Sequence, residues 1–246
     1  VVPESVVLLH GFAGTRRSWD RVVEHLDPER YTPLALDLRG HGAASAVRPV
    51  TLDAVVDDVV AAAPARFALC GYSMGGRIAL HVALRAPERV TRLVLLAATA
   101  GLDDPRERAQ RAAADELLAE RIERGTIESF AARWMSQPLF AGTPREAADA
   151  WREDLRRNTP AGIAAALRGL SQGVLPAVWD RLGELAMPAL AVAGERDARY
   201  LDIAHRLADA LPLGRLLVIG GAGHGLPREA PAAVAGALRD GDAPTA

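Results

Sequence analysis

The sequence has 246 residues, is half hydrophobic and carries a net charge of −2. That length and apolar content suit one core-bearing domain of an α/β enzyme, and a charge so near zero argues against nucleic acid or an anionic membrane as partner. Every basic residue other than histidine is an arginine, so an anion site must use guanidinium forks, which grip a carboxylate through two parallel hydrogen bonds.

The start, VVPESVVLLHG, enters a strand-like run with no basic flank or cleavage site. No apolar stretch reaches the length of a membrane span. The expectation is a cytoplasmic protein, and the abrupt start also suits a chain that has lost a preceding strand. In chain order, short apolar runs at 6–10, 33–37, 67–70, 93–96, 189–193 and 216–219 read as strands covered on both faces. Helical patterns lie between them at 19–26, 52–62, 74–84, 203–210 and 230–238. This alternation predicts an α/β fold with a mostly parallel sheet and helices on both faces.

The alternation breaks between 101 and 183, where helix follows helix, punctuated by Gly125, Pro138, 142–144, 158–160, Gly173 and Pro176. The expected organisation is therefore a core of 1–100 and 184–246 with a helical cap of 101–183. The tail GDAPTA is expected to fray. The lone cysteine, Cys70, ends an apolar run and reads as a small buried hydrophobe. No metal is predicted, since there is neither a cysteine pair nor an H-E-x-x-H spacing. No dinucleotide or phosphate-loop fingerprint is present either, and no cofactor is expected.

The stretch CGYSMGGRIAL places Ser73 in G-x-S-x-G, between a predicted strand and a predicted helix. The bare motif arises often by chance, but this placement predicts a sharp turn that lifts Oγ above the sheet edge at a helix N-terminus. Such a hydroxyl needs a base. His224, in the glycine-rich run 220–225 after the last strand, is best placed; His25 and His205 read as surface residues, His81 as packed on the helix after the serine, and His41 as a loop-ordering residue. The imidazole in turn needs an acid. Asp197, after the fifth strand, is favoured over Glu195. The backbone N–H groups of Phe12, in His10-Gly11-Phe12-Ala13-Gly14, and of Met74 would form an oxyanion hole.

The order Ser73, Asp197, His224 resembles the α/β-hydrolase superfamily over nearly the whole chain. The cap carries a narrower resemblance. Arg77 follows the serine by one turn, the arginine-rich run 105–111 opens the cap, and W-x-x-Q-P-x-F at 134–140 is followed by Leu155-Arg156-Arg157-Asn158. This pattern looks like the 2-succinyl-6-hydroxy-2,4-cyclohexadiene-1-carboxylate (SHCHC) synthases of menaquinone biosynthesis. The resemblance implies a carbon–oxygen lyase that eliminates pyruvate from 2-succinyl-5-enolpyruvyl-6-hydroxy-3-cyclohexene-1-carboxylate, with Ser73 as base. It also implies that Arg77, Arg111 and Arg156 hold the carboxylates of a small polycarboxylate, while Tyr72 and Trp134 wall the pocket. Arg39, where such enzymes often carry proline, and the weakly polar 225–228 depart from the pattern. Two other readings use the same motifs. One is a serine hydrolase (carboxylesterase, thioesterase or C–C bond hydrolase) working through an acyl-enzyme; the other is a binding protein on a hydrolase scaffold. Oligomeric state is not legible.

Overall fold

The computed structural model describes residues 2–240; the GDAPTA tail lies outside the described residues. Strands β1 (Glu4–Leu9), β2 (Tyr31–Leu36), β3 (Phe67–Tyr72), β4 (Val90–Leu96), β5 (Ala189–Gly194) and β6 (Gly214–Ile219) form one parallel sheet in the order β2-β1-β3-β4-β5-β6. Successive strand side chains point to opposite faces. Val7, Leu9, Leu69, Leu93, Leu95 and Ala191 therefore share one core, and Val6, Leu8, Cys70, Val94, Leu96 and Val192 the other. Both faces are dry, which is why these strands read as continuous apolar runs. Burial at Cys70 also pushes its thiol pKa up, away from reactivity.

Helices close both faces. Helix α1 (Asp20–Val23) covers the second face with Val22. Helices α2 (Leu52–Ala62) and α3 (Met74–Arg85) pack on the first through Val55, Val59, Ile78 and Val82. Thr51 caps α2, its side chain accepting from the Ala54 N–H. Only α1 is shorter than the expected 19–26. A 3-10 turn, Arg16–Trp19, precedes it, and residues up to Leu26 close as i→i+3 turns. Pro28 disfavours a helical residue before it and ends the run.

Between β4 and β5 the chain is helical: α4 (Pro105–Glu123), α5 (Ile127–Met135), α6 (Arg145–Leu155) and α7 (Pro160–Leu170). Local signals set these boundaries. Asp104 accepts from the Arg106 N–H ahead of Pro105, Thr126 and Ser129 form a reciprocal capping box, and Thr159 caps α7 ahead of Pro160. Packing of α4 on α7 is clasped by Arg168, which reaches Glu116 and Glu123. Ala119, Ile122, Phe130, Leu155, Ile163 and Leu167 form the cap's own core, and Ala13 of the sheet domain packs into it. The chain ends with α8 (Ala198–Ala210), α9 (Leu226–Glu229) and α10 (Pro231–Asp240). Helix α8 starts five residues before the expected 203, because Asp197 is its N-cap and accepts from the Tyr200 N–H. Among the described residues no helix is long and apolar enough to cross a membrane.

The connections β1→β2 and β2→β3 place β2 and β3 on opposite sides of β1. A crevice opens at such a reversal, above the C-terminal strand ends. The loops after β1 and β3 border it.

Two buried histidines stiffen that rim. His10 donates Nδ1–H to the Gly11 carbonyl (2.8 Å) and accepts from the Leu38 N–H at Nε2 (3.1 Å). His41 accepts from the Ala13 N–H at Nε2 (3.2 Å) and donates to the Arg39 carbonyl. Burial holds both pKa values below the ordinary histidine value, His41 well below, where His10 adds to the effect. The unfolded chain then binds protons below about pH 6.5 that the folded chain refuses, so stability must fall as pH drops through that value. The urea midpoint is expected to be lower at pH 5.5 than at pH 7.5, with a flatter dependence in His41→Gln; a pH-independent midpoint over that range would contradict it.

Candidate active site

Ser73 sits between β3 and α3 with φ 52° and ψ −108°, a left-handed φ that a side-chain-bearing residue rarely adopts. Two features hold it there. Its N–H donates to the Leu96 carbonyl at the end of β4 (2.8 Å), and the flanking glycines let backbone approach backbone. A Cβ at Gly71 would lie 2.3 Å from the Gly75 carbonyl oxygen, and one at Gly75 would lie 2.2 Å from the Leu9 carbonyl oxygen. Neither glycine has a positive φ, so space rather than dihedral freedom requires them.

The loop after β6 brings His224 over the serine. Its Nε2 lies 3.2 Å from Ser73 Oγ and its Nδ1 lies 2.6 Å from Asp197 Oδ2. A carboxylate only accepts, so the imidazole donates Nδ1–H to Asp197 and leaves Nε2 to accept the serine hydroxyl. His224 and Asp197 are both buried. Glu195, the alternative acid, is exposed and instead accepts from the Gly221 N–H (2.7 Å), shaping the loop that presents His224. The histidine loop has a second brace that no motif announced. Glu229 accepts from the N–H groups of Gly223 (2.8 Å) and Gly225 (3.1 Å), on either side of His224, and is held by Arg196 (2.8 Å).

A cavity of about 230 Å³ opens onto Ser73 and His224. Phe12 and Met74 line it beside the serine, Arg77 comes from α3, and Arg111 and Trp134 descend from the cap. Arg77 is buried, and burial lowers its pKa to about 10. Among the described residues its Nη2 reaches only the Leu170 carbonyl at 3.4 Å, and its Nε has no partner. Arg111 is half-buried and bonds Asp115 (2.7 Å). Trp134 packs its ring against Phe12, Phe130 and Phe140, while its Nε1 is buried without a partner.

Two sequence expectations need correction. Arg156 is exposed at the C-terminal end of α6 and does not line the cavity. The buried polar member of Leu155-Arg156-Arg157-Asn158 is Asn158. Its amide donates to the Ala13 carbonyl (2.9 Å) and accepts from the Gly42 N–H (2.9 Å), tying the cap to the loops after β1 and β2. Tyr72 is also not a pocket wall. It is fully buried behind the triad, its ring against His224 (5.5 Å) and Trp151 (5.9 Å), and burial raises its pKa well above the ordinary tyrosine value.

Arg199, Tyr200, Gln137, Ser171 and Gln172 also line the cavity, and sequence reasoning assigned none of them a role. Tyr200 packs its ring, tilted by 53°, against the His224 ring (4.5 Å) and accepts from Gln172 at its hydroxyl (3.4 Å). The signal was present: Asp197 is a helix-capping residue type, and a helix starting at 198 puts Arg199 and Tyr200 in its first turn. Among the departures from the family pattern, Arg39 forks onto Asp58 (2.5 and 2.8 Å) on the surface. Arg228 is buried against Asp154 of α6.

The profile of the alpha/beta hydrolase family matches residues 6–237. An SHCHC synthase from Enterobacter sp. (strain 638) is 35% identical over 237 residues, covering 95% of this chain and 89% of that protein. The chain belongs to the alpha/beta hydrolase family. Within that family its likeness to SHCHC synthases recurs in the one from Salmonella paratyphi A, 33% identical over 95% of this chain and 92% of the other. Among solved structures, MenH from S. aureus superposes with a TM-score of 0.88 at 27% identity, covering 97% of this chain and 93% of that one. A malate-bound esterase from Thermogutta terrifontis superposes at 0.83 with 29% identity, covering 96% and 88%. The hydrolase-family framework is thus shared by proteins named as synthases and as esterases, and the side chains around the serine must separate them.

Proposed function

We propose that this chain is an SHCHC synthase, eliminating pyruvate from 2-succinyl-5-enolpyruvyl-6-hydroxy-3-cyclohexene-1-carboxylate. The observation that carries this reading is the charge of the cavity. Arg77 and Arg111 line it together with Ser73 and His224, no aspartate or glutamate among the described residues lines it, and only Arg111 of the two has a carboxylate partner there, Asp115. A buried guanidinium with an unpartnered Nε is costly unless an anion completes it. A polycarboxylate does so, whereas a neutral ester does not.

In this reading Ser73 Oγ takes the ring proton next to the succinyl ketone while its own proton passes to His224 Nε2. Asp197 stabilises the imidazolium so formed. The electron pair shifts through the ring double bond, and the C–O bond to the enolpyruvyl group breaks. The departing enolate takes up a proton and becomes pyruvate. Negative charge develops on the succinyl ketone oxygen, where the N–H groups of Phe12 and Met74 are the available donors; the neighbouring Ala13 N–H is committed to His41. No acyl-enzyme forms.

The test is a coupled assay that generates the enolpyruvyl precursor in situ and records pyruvate release together with diene absorbance. Fast, stoichiometric appearance of both supports the lyase. A rate equal to the spontaneous one removes it and returns the site to the serine-hydrolase reading. In the same assay Arg77→Met is expected to cost about 2–4 kcal/mol in kcat/KM, as for a buried charge that loses its ligand. Its urea midpoint should be unchanged or higher, because an under-satisfied buried cation has gone. Arg111→Ala is expected to cost about 1 kcal/mol, since Arg111 is 38% exposed and already paired. Equal losses at the two positions would contradict this ranking.

A further inference from the structure

We propose that Arg199 is a third carboxylate-binding residue, at the rim of the cavity, and that it makes the site selective for tricarboxylates over dicarboxylates; this rests on the polycarboxylate reading above. Arg199 lies in the first turn of α8, two residues after Asp197, and its side chain lines the same cavity as Ser73, His224, Arg77 and Arg111. It is exposed, and among the described residues it makes no ion pair or hydrogen bond. Its neighbours on that face behave differently: Arg196 is engaged with Glu229 and Arg206 with Asp103. Three guanidinium groups therefore border one space, from α3, from α4 and from α8, with no acidic side chain among the described residues in the lining.

Among the described residues Arg77 and Arg199 have no carboxylate partner while Arg111 has Asp115, so the lining keeps a positive excess, which is relieved by an anion bearing charge at each of them. Arg77 sits deep and Arg111 hangs from the cap, so a substrate with two carboxylates satisfies these two and leaves the rim cation in solvent. A third carboxylate pointing outward reaches Arg199. Contact at the rim, away from the serine, stabilises ground and transition states alike, so it acts on KM rather than kcat.

The experiment titrates propane-1,2,3-tricarboxylate and, separately, glutarate into wild type, Arg199→Met, Arg199→Lys and Arg106→Met, following binding by isothermal titration calorimetry. Arg106 is an exposed cap arginine outside the lining and serves as the control. Arg199→Met is expected to weaken the tricarboxylate about five- to tenfold and glutarate less than about twofold, the range for a partly exposed charge-assisted contact. Arg199→Lys should recover most of the loss, and Arg106→Met should change neither. With the lyase substrate, KM should rise by a similar factor while kcat stays within about twofold. Equal tricarboxylate affinity in wild type and Arg199→Met overturns the proposal, as does a wild type that binds no tricarboxylate. A wild type that binds the tricarboxylate through Arg199 but releases no pyruvate supports the rim site and removes the lyase reading, so the two failures are distinct.

Discussion

Ser73→Ala is expected to lower kcat for pyruvate release by about three to four orders of magnitude, with little change in stability. His224 Nε2 is aimed at Ser73 Oγ, 3.2 Å away. With the hydroxyl gone, no group is left between imidazole and substrate to carry the proton, and the electrostatic contribution of the cavity alone remains. The fold does not depend on Oγ. The bond from the Ser73 N–H to the Leu96 carbonyl is made by backbone, and the tight contacts at Gly71 and Gly75 are untouched. The unfolding free energy should therefore change by less than about 0.5 kcal/mol. Steady-state turnover and urea unfolding check the two halves. Turnover near the wild-type rate would remove every reading in which the serine acts. Intact-mass measurement of wild type quenched during turnover separates the remaining two: an unmodified chain fits a base, and an adduct on Ser73 fits a nucleophile.

Asp154→Ala is expected to cost about 3–5 kcal/mol of stability, a large share of what a single domain has. Asp154 belongs to cap helix α6, yet its side chain is 1% exposed and serves the sheet domain. It accepts from the N–H and hydroxyl of Thr15 and from the Ser18 hydroxyl, and it pairs with Arg228 at 2.8 Å. Removing it strands a guanidinium whose side chain is 8% exposed and whose Nε already lacks a partner. Breaking one half of a buried pair is worse than replacing both halves. Asp154→Leu combined with Arg228→Met should therefore be more stable than Asp154→Ala alone. Urea unfolding of the single and double variants tests this; a loss below about 1 kcal/mol in the single variant would show that the network contributes little. Thr15 and Ser18 follow β1 and Arg228 follows His224, so kcat should also fall in Asp154→Ala at temperatures where the variant is folded.

The central strands β1, β3, β4 and β5 were legible because both of their faces are largely buried. Phe67–Tyr72 is buried at every position, and such a strand cannot hide its composition. The helix at 52–62 was legible to the residue, with Thr51 as cap and Val55, Val56 and Val59 on one face. Helix α8 starts earlier than its apolar pattern predicts because the Asp197 carboxylate both pairs with His224 and caps the helix. Arg199 and Tyr200 were missed with it.

Linear order alone was enough to anticipate the hydrogen-bonded arrangement of Ser73, His224 and Asp197, since each member is tied to a local backbone requirement. Ser73 needs two glycines where backbones nearly touch, His224 needs a loop after the last strand, and Asp197 needs a strand's C-terminal end. Those requirements are written within a few residues of the group they serve. The lining of the cavity is not written that way. Whether Arg111, Arg156 or Arg199 faces Ser73 depends on how helices far apart in sequence pack over the sheet edge, and one helical residue more or less turns a side chain by about 100°. Only the folded chain put Arg156 in solvent, Asn158 in the joint between cap and core, Tyr72 behind the histidine and Arg199 at the cavity mouth. Local backbone chemistry determines where a reaction can occur, and long-range packing decides which charges meet the substrate there.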